Sequence, residues 1–273
     1  MLPKREGRML YHVTDWDDAY ANTIHIPGGE AFFARWQDAA ARFRVAHPPQ
    51  ALGRGHLFHP GGAPRGLMVF IHGGYWMETT PDLWSHLASG ALARGWAVAL
   101  PGYTLAPQAR IGQMARQVAA AIAEAAGRIG GPVALTGHSA GGHLAARMIC
   151  DDATLPDAVA ARVTACVPIS PLADLRPLLR TAMNDTLRLD PVQAAADSPA
   201  LLAPRPGIPV TTWVGATERP EFLRQARLLA DIWAGLGTAT DCVVEPDRHH
   251  YDVIEGLERA DSPLMDRLLL TGG

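Results

Sequence analysis

Cysteine is scarce in this 273-residue chain. Cys150, Cys166 and Cys242 are odd in number and show no C-x-x-C spacing, which excludes a disulfide framework and a zinc ribbon. All three read as small buried hydrophobes. Long apolar runs are missing too: no stretch approaches the roughly 18 to 20 residues of a membrane span, and the opening MLPKREGRMLYHVTDWDD lacks an apolar segment of signal-peptide length. The expected compartment is the cytoplasm. Basic excess is absent as well. The formal net charge is −3 with charges interspersed, so no basic stripe awaits a nucleic acid or an anionic membrane surface, and the expected partner is a small molecule. Lysine is nearly absent, Lys4 being the sole one among 24 basic residues, and GC-rich coding accounts for that without a functional reason. The sequence leaves the oligomeric state open, a homodimer included.

What is present is apolar: 48% hydrophobic residues suffice for one large core, so a single domain over residues 1–273 is the expectation. From residue 66, short apolar runs alternate with Ala-rich helical patterns, the signature of a mainly parallel central sheet flanked by helices on both faces. Strands are predicted at Gly66–Ile71, Trp96–Leu100, Val133–Thr136, Val163–Ile169, Val210–Val214 and Thr240–Val244. Helices are predicted at Leu83–Arg94, Ile111–Ile129, Ala140–Cys150 and Phe222–Leu236, each with apolar residues at three-and-four spacing. Ahead of these, residues 15–47 contain an amphipathic stretch, Glu30–Phe43, with Phe33, Trp36, Ala40 and Phe43 on one side, expected beside the mouth of a site. Residues 171–207 are Pro-interrupted with short helical patterns, and an excursion of that length is the candidate for a small helical cap.

Gly137-His138-Ser139-Ala140-Gly141 fits G-x-S-x-G and falls between a predicted strand and a predicted helix. A serine on so sharp a turn needs flanking residues without side chains, and its hydroxyl is presented as a nucleophile. The plainer alternative is a glycine-rich turn with a serine N-cap. His72-Gly73-Gly74-Tyr75-Trp76 follows the first predicted strand; its glycines let the backbone approach a carbonyl, so the amides of Gly73, Gly74 and Ala140 are candidate donors to an oxyanion. His72 reads as structural, and Trp76 as a pocket wall at a strand end. Glu218 is the first carboxylate after Val210–Val214, placed to orient a base, with Glu221 as fallback. The base is sought after Thr240–Val244, where His249 and His250 compete and position alone leaves the choice open. No metal-ligand spacing is present: His138 and His143 are five apart, and His249-His250 has no accompanying carboxylate set. The reading is a serine hydrolase with no metal and no cofactor.

The runs HGGYW, GHSAGGHLAARM, Glu218-Arg219-Pro220-Glu221-Phe222 with Arg224-Gln225, and His250-Tyr251-Asp252-Val253-Ile254-Glu255 resemble the kynurenine formamidase (arylformamidase) branch of α/β-hydrolases, over residues 15 to about 260. The resemblance implies the α/β-hydrolase fold, the acid at Glu218 where the family more often has Asp, and the base at His250 rather than His249. It implies cleavage of N-formyl aromatic amines, N-formyl-L-kynurenine to kynurenine and formate, as in tryptophan degradation. Ser139 would attack the formyl carbon while His250 shuttles its proton to the leaving nitrogen. Binding must then come from the aryl side, with Trp76, Tyr103, Met183, Phe222 and Tyr251 as wall candidates and Asn184 or Arg180 for the amino-acid head, each equally explicable as packing. A general carboxylesterase for short acyl or aryl esters shares every catalytic residue. A ligand-binding protein on the same scaffold is the non-enzyme alternative, but known examples have lost the base histidine. Because an unperturbed histidine titrates near about 6.5, activity is expected to fall on the acidic side.

Overall fold

The computed structural model describes residues 12–269; the reading of the first eleven residues, Lys4 included, falls outside that range. Among the described residues eight strands form one sheet. They are β1 (Gln50–Leu52), β2 (Gly55–Phe58), β3 (Leu67–Ile71), β4 (Ala97–Leu100), β5 (Val133–His138), β6 (Val163–Ile169), β7 (Val210–Gly215) and β8 (Thr240–Glu245). The order is β1-β2-β4-β3-β5-β6-β7-β8. β1 pairs with β2 and β2 with β4 antiparallel, while every other neighbour is parallel.

The central strands are continuous apolar runs because both faces are covered. In β3 all five residues are buried. Leu67, Val69 and Ile71 join one apolar cluster and Met68 and Phe70 the other, the period-two alternation that feeds two cores from one strand. The six predicted strands are all present, with ends that move by one or two residues. β1 and β2 escaped prediction because they are three and four residues long and Gln50 and Ala51 are exposed, too little for an alternation to register.

The helices are α1 (Trp16–Tyr20), α2 (Ala31–Ala46), α3 (Ser89–Ala93), α4 (Ile111–Arg128), α5 (Ala140–Met148), α6 (Asp157–Ala160), α7 (Asn184–Leu187), α8 (Pro191–Ala196), α9 (Pro220–Gly235) and α10 (Pro263–Leu268). α4, α5 and α9 contribute to the cluster on one face of the sheet, and α2, α3 and α10 to the other. The helix predicted over Leu83–Arg94 is in fact a 3-10 turn, Pro81–Ala88, running into the short α3. Trp84 to Ala88 are all buried there. Cys150 and Cys166 are buried, whereas Cys242 is half-buried; all three are free thiols.

Candidate active site

The turn from β5 into α5 is the most constrained backbone in the site. Ser139 sits there at φ 56°, ψ −118°, a region that a non-glycine residue adopts only when its surroundings force it. The surroundings are visible in the glycines. A Cβ on Gly137 would lie 2.2 Å from the Gly141 carbonyl oxygen, and one on Gly141 would lie 1.9 Å from that of Ile71. Neither distance is physical, so the spacing of the two glycines around Ser139 is dictated by strand-to-helix packing. The Ser139 amide donates to the Ile169 carbonyl at 2.9 Å, which pins the turn to β6.

The loop after β3 leans on that turn. A Cβ on Gly73 would come within 2.8 Å of the His138 carbonyl oxygen and 3.2 Å of Ser139 Cβ. Gly74, Tyr75 and Trp76 then run in succession at positive φ, 97°, 47° and 58°. This strain is held by Thr79 Oγ1, which donates to the Gly73 carbonyl at 3.0 Å, and by the Ala106 amide, which donates to the Trp76 carbonyl at 2.8 Å. The amides of Gly73, Gly74 and Ala140 donate to no backbone carbonyl among the described residues, leaving them free for an incoming oxygen.

His72 sits behind the loop rather than in the cavity. Its Nδ1 lies 3.0 Å from the Gly73 carbonyl, its ring stacks on Tyr103 at 4.3 Å, and burial pushes its pKa down to about 4.

Glu218 and His250 meet across the ends of β7 and β8. Glu218 Oε2 lies 2.6 Å from His250 Nδ1, and Oε1 accepts from the Gly215 amide at 2.8 Å and from Ser170 Oγ at 2.6 Å. A buried carboxylate is tolerable only with such partners. Ser170, at φ 47° just past β6, was missed by sequence reasoning; its position at a strand end beside the acid was the available signal. The two loops are sewn together by the Ala216 amide on the Glu245 carbonyl and the Thr217 amide on the Arg248 carbonyl. His249 turns elsewhere: its Nδ1 accepts from the amides of Tyr251 and Asp252 at 3.1 and 3.2 Å, and its ring meets Phe32. Glu221 is likewise occupied, buried and bonded to Tyr20, Arg224 and Gln225.

Ser139 and His250 open onto one cavity of about 420 Å³. No hydrogen bond joins their side chains. Tyr20, Phe33, Trp36, Tyr75, Trp84 and Tyr251 supply the aromatic wall. Of the expected wall residues, Met183 and Tyr251 line the cavity. Trp76, Tyr103, Asn184, Phe222 and Arg180 do not. Trp76 is fully buried against His143; Tyr103 donates to the His72 carbonyl; Phe222 packs on the His250 ring at 4.4 Å. Asn184 bonds both ways to the Leu189 backbone, and the Arg180 guanidinium lies over Trp16. Each holds up the site or its rim instead of facing the cavity. From residues 171–207 only Met183 reaches the cavity, whereas the N-terminal segment, residues 17–36, supplies eight of its lining residues.

The described residues hold no group of three or more His, Cys, Asp or Glu side chains placed to hold a metal ion, and no described helix is long and apolar enough to cross a membrane.

A mainly parallel sheet in this strand order, with a strained serine turn after β5 and an acid and a histidine after β7 and β8, defines the class as an α/β hydrolase. The alpha/beta hydrolase family model matches residues 68–271, and the chain belongs to that family, in its kynurenine formamidase-like branch. It is 31% identical over 214 residues to the kynurenine formamidase of Danio rerio, covering 75% of this chain and 71% of that protein. The Salmo salar enzyme of the same name is 28% identical, covering 74% and 71%. Among solved structures, a candidate thioesterase from a Silicibacter species is 45% identical with a TM-score of 0.88, covering 93% of this chain and 98% of that one. An esterase of Pyrobaculum calidifontis, 18% identical with a TM-score of 0.64 over 89% and 91%, shares the fold. The protein is a hydrolase.

Proposed function

We propose that the chain is a serine hydrolase that removes the formyl group from an N-formyl aryl amine, with N-formyl-L-kynurenine as substrate. The observation that carries the serine chemistry is the strained Ser139 turn sharing a cavity with a histidine whose Nδ1 is held by buried Glu218. Ser139 Oγ attacks the formyl carbon as His250 Nε2 takes its proton. The tetrahedral oxyanion is met by the free amides of Gly73, Gly74 and Ala140, and Glu218 stabilises the imidazolium. The C–N bond breaks as His250 returns the proton to the aryl nitrogen. Water, activated by the same histidine, then releases formate from formyl-Ser139.

The substrate class is supported by the cavity lining as well as by the relatives. Six aromatic side chains surround a volume suited to one aryl ring and its side chain. The carboxylates lining the cavity are those of Asp17 and Glu78, and neither arginine nor lysine faces the cavity among the described residues. That charge suits the ammonium of an amino-acid side chain and opposes the phosphates of a coenzyme A thioester, the substrate type that the Silicibacter likeness raises.

The test compares kcat/KM for N-formyl-L-kynurenine, p-nitrophenyl acetate and a short acyl-coenzyme A. The formyl amide is expected to lead by at least tenfold. Equal or better turnover of the simple ester makes the protein a carboxylesterase, and a lead for the thioester ends the formamidase reading. Failure of a fluorophosphonate to label Ser139 would remove the serine mechanism itself.

A further inference from the structure

His138, the residue before the nucleophile, has no part in the chemistry above, yet it lines the same cavity as Ser139 and His250. It is only 3% exposed, and neither ring nitrogen has a hydrogen-bond partner among the described residues. A buried polar group left unpaired calls for an explanation, because leaving it so carries the full cost of its desolvation. Its ring lies 4.5 Å from that of His250 and 6.2 Å from that of Trp84. A Cβ on Gly73 would stand 3.5 Å from its Nδ1, so the ring borders the oxyanion loop as well. Its surroundings are therefore the serine, His250 and the Gly73 turn, around which the scissile acyl bond of the proposed reaction would lie.

We infer that His138 is a substrate-contacting residue whose free ring nitrogen accepts the N–H of the scissile amide, and that it is what adapts this site to amides over esters. The inference rests on the formyl-amide reading above. For the C–N bond to break, the nitrogen must abandon its planar conjugation and turn its lone pair toward the proton that His250 carries. Its own hydrogen then swings to the side. That hydrogen stays on nitrogen throughout: the departing aryl amine leaves with it and with the proton delivered by His250. A waiting acceptor stabilises the turned nitrogen and hence the transition state more than the planar ground state. An ester oxygen has no hydrogen to offer, so the same acceptor does nothing for it.

A neutral imidazole has one donor and one acceptor nitrogen. Burial, with His250 alongside, holds the His138 pKa well below the ordinary histidine range, so the lone pair stays available. One ring nitrogen of the neutral imidazole is thus left to accept.

The experiment measures kcat/KM of the wild type, His138→Phe and His138→Gln on a matched pair, an aryl formamide and the corresponding aryl formate ester. In His138→Phe the formamide-to-ester ratio is expected to fall between about tenfold and a hundredfold, carried by kcat more than by KM. His138→Gln, whose side-chain oxygen is again an acceptor, should recover part of the ratio. Ester turnover and fluorophosphonate labelling report that Ser139 and the fold survive each substitution. Loss of both activities in equal proportion, or an unchanged ratio, overturns the inference while leaving the formamidase reading intact. A wild type that cleaves the ester but not the formamide overturns both.

Discussion

The cavity has two sides built on different principles. Its floor consists of strand ends and tight turns, where Ser139, Gly73, Glu218 and His250 are fixed by backbone contacts so close that an added methyl group would overlap a carbonyl. Its wall, from Tyr20 through Phe33 and Trp36 to Tyr251, is held by ring-on-ring packing, Trp36 lying 4.7 Å from Trp84 and 5.2 Å from Tyr251. Backbone contacts fix atoms to fractions of an ångström, whereas aromatic packing fixes a volume. On the proposed mechanism, reaction geometry resides in the floor, and substrate choice and much of the local stability reside in the wall.

That division is breakable by substitution. Ser139→Ala, at the floor, should lower kcat on the order of 10⁴-fold or more while the thermal midpoint stays in place; a comparable loss of stability would contradict the separation. Trp36→Ala, at the wall, should cost about 3 to 5 kcal/mol in urea unfolding and raise KM more than it lowers kcat. A fall in kcat alone would put Trp36 in the reaction. Acid should act on the supports of the floor. Burial depresses His72 and His86 to about 4 and His143 to about 3, so the folded protein leaves them neutral where the unfolded chain protonates them. Their stabilisation is complete above about pH 6.5 and is lost as pH falls from there toward 4, together about 2 kcal/mol between pH 7 and 6. Urea midpoints across that range check this, and a flat profile refutes it. The smallest effect belongs to His249→Ala, which removes a loop acceptor; kcat/KM should drop less than about tenfold. A collapse comparable to that expected for His250→Ala would exchange the roles of the two neighbours.

The floor was also the legible side. Glycines two residues either side of a serine leave their mark in sequence because the collision that they avoid is local and unavoidable. The apolar strands that deliver these turns are equally legible, since burial on both faces leaves little compositional freedom. The adjacent histidines were separable only through resemblance to a family, and the structure places His250, not His249, against Glu218. The wall was less legible. Trp76 at a strand end, and Tyr103 and Phe222 as aromatics for an aryl substrate, were expected to face the cavity; instead they fill the space behind the loops. Residues that do face the cavity, such as Tyr20 and Trp84, reach it by tertiary folding that no local pattern announces.

One connection joins residues about two hundred positions apart. Tyr20 donates to Glu221 at 2.8 Å, and Gln225 bridges that pair to the backbone carbonyl of Asp174, all buried, while Arg219 pairs with Asp18. Glu221 opens α9 only three residues after the acid. The opening segment is thus riveted to the very loop that aims the imidazole, and whatever pries up the roof also loosens the aim. On the proposed mechanism, a shortened chain starting at β1 is expected to forfeit its selectivity and the alignment of His250 in a single event.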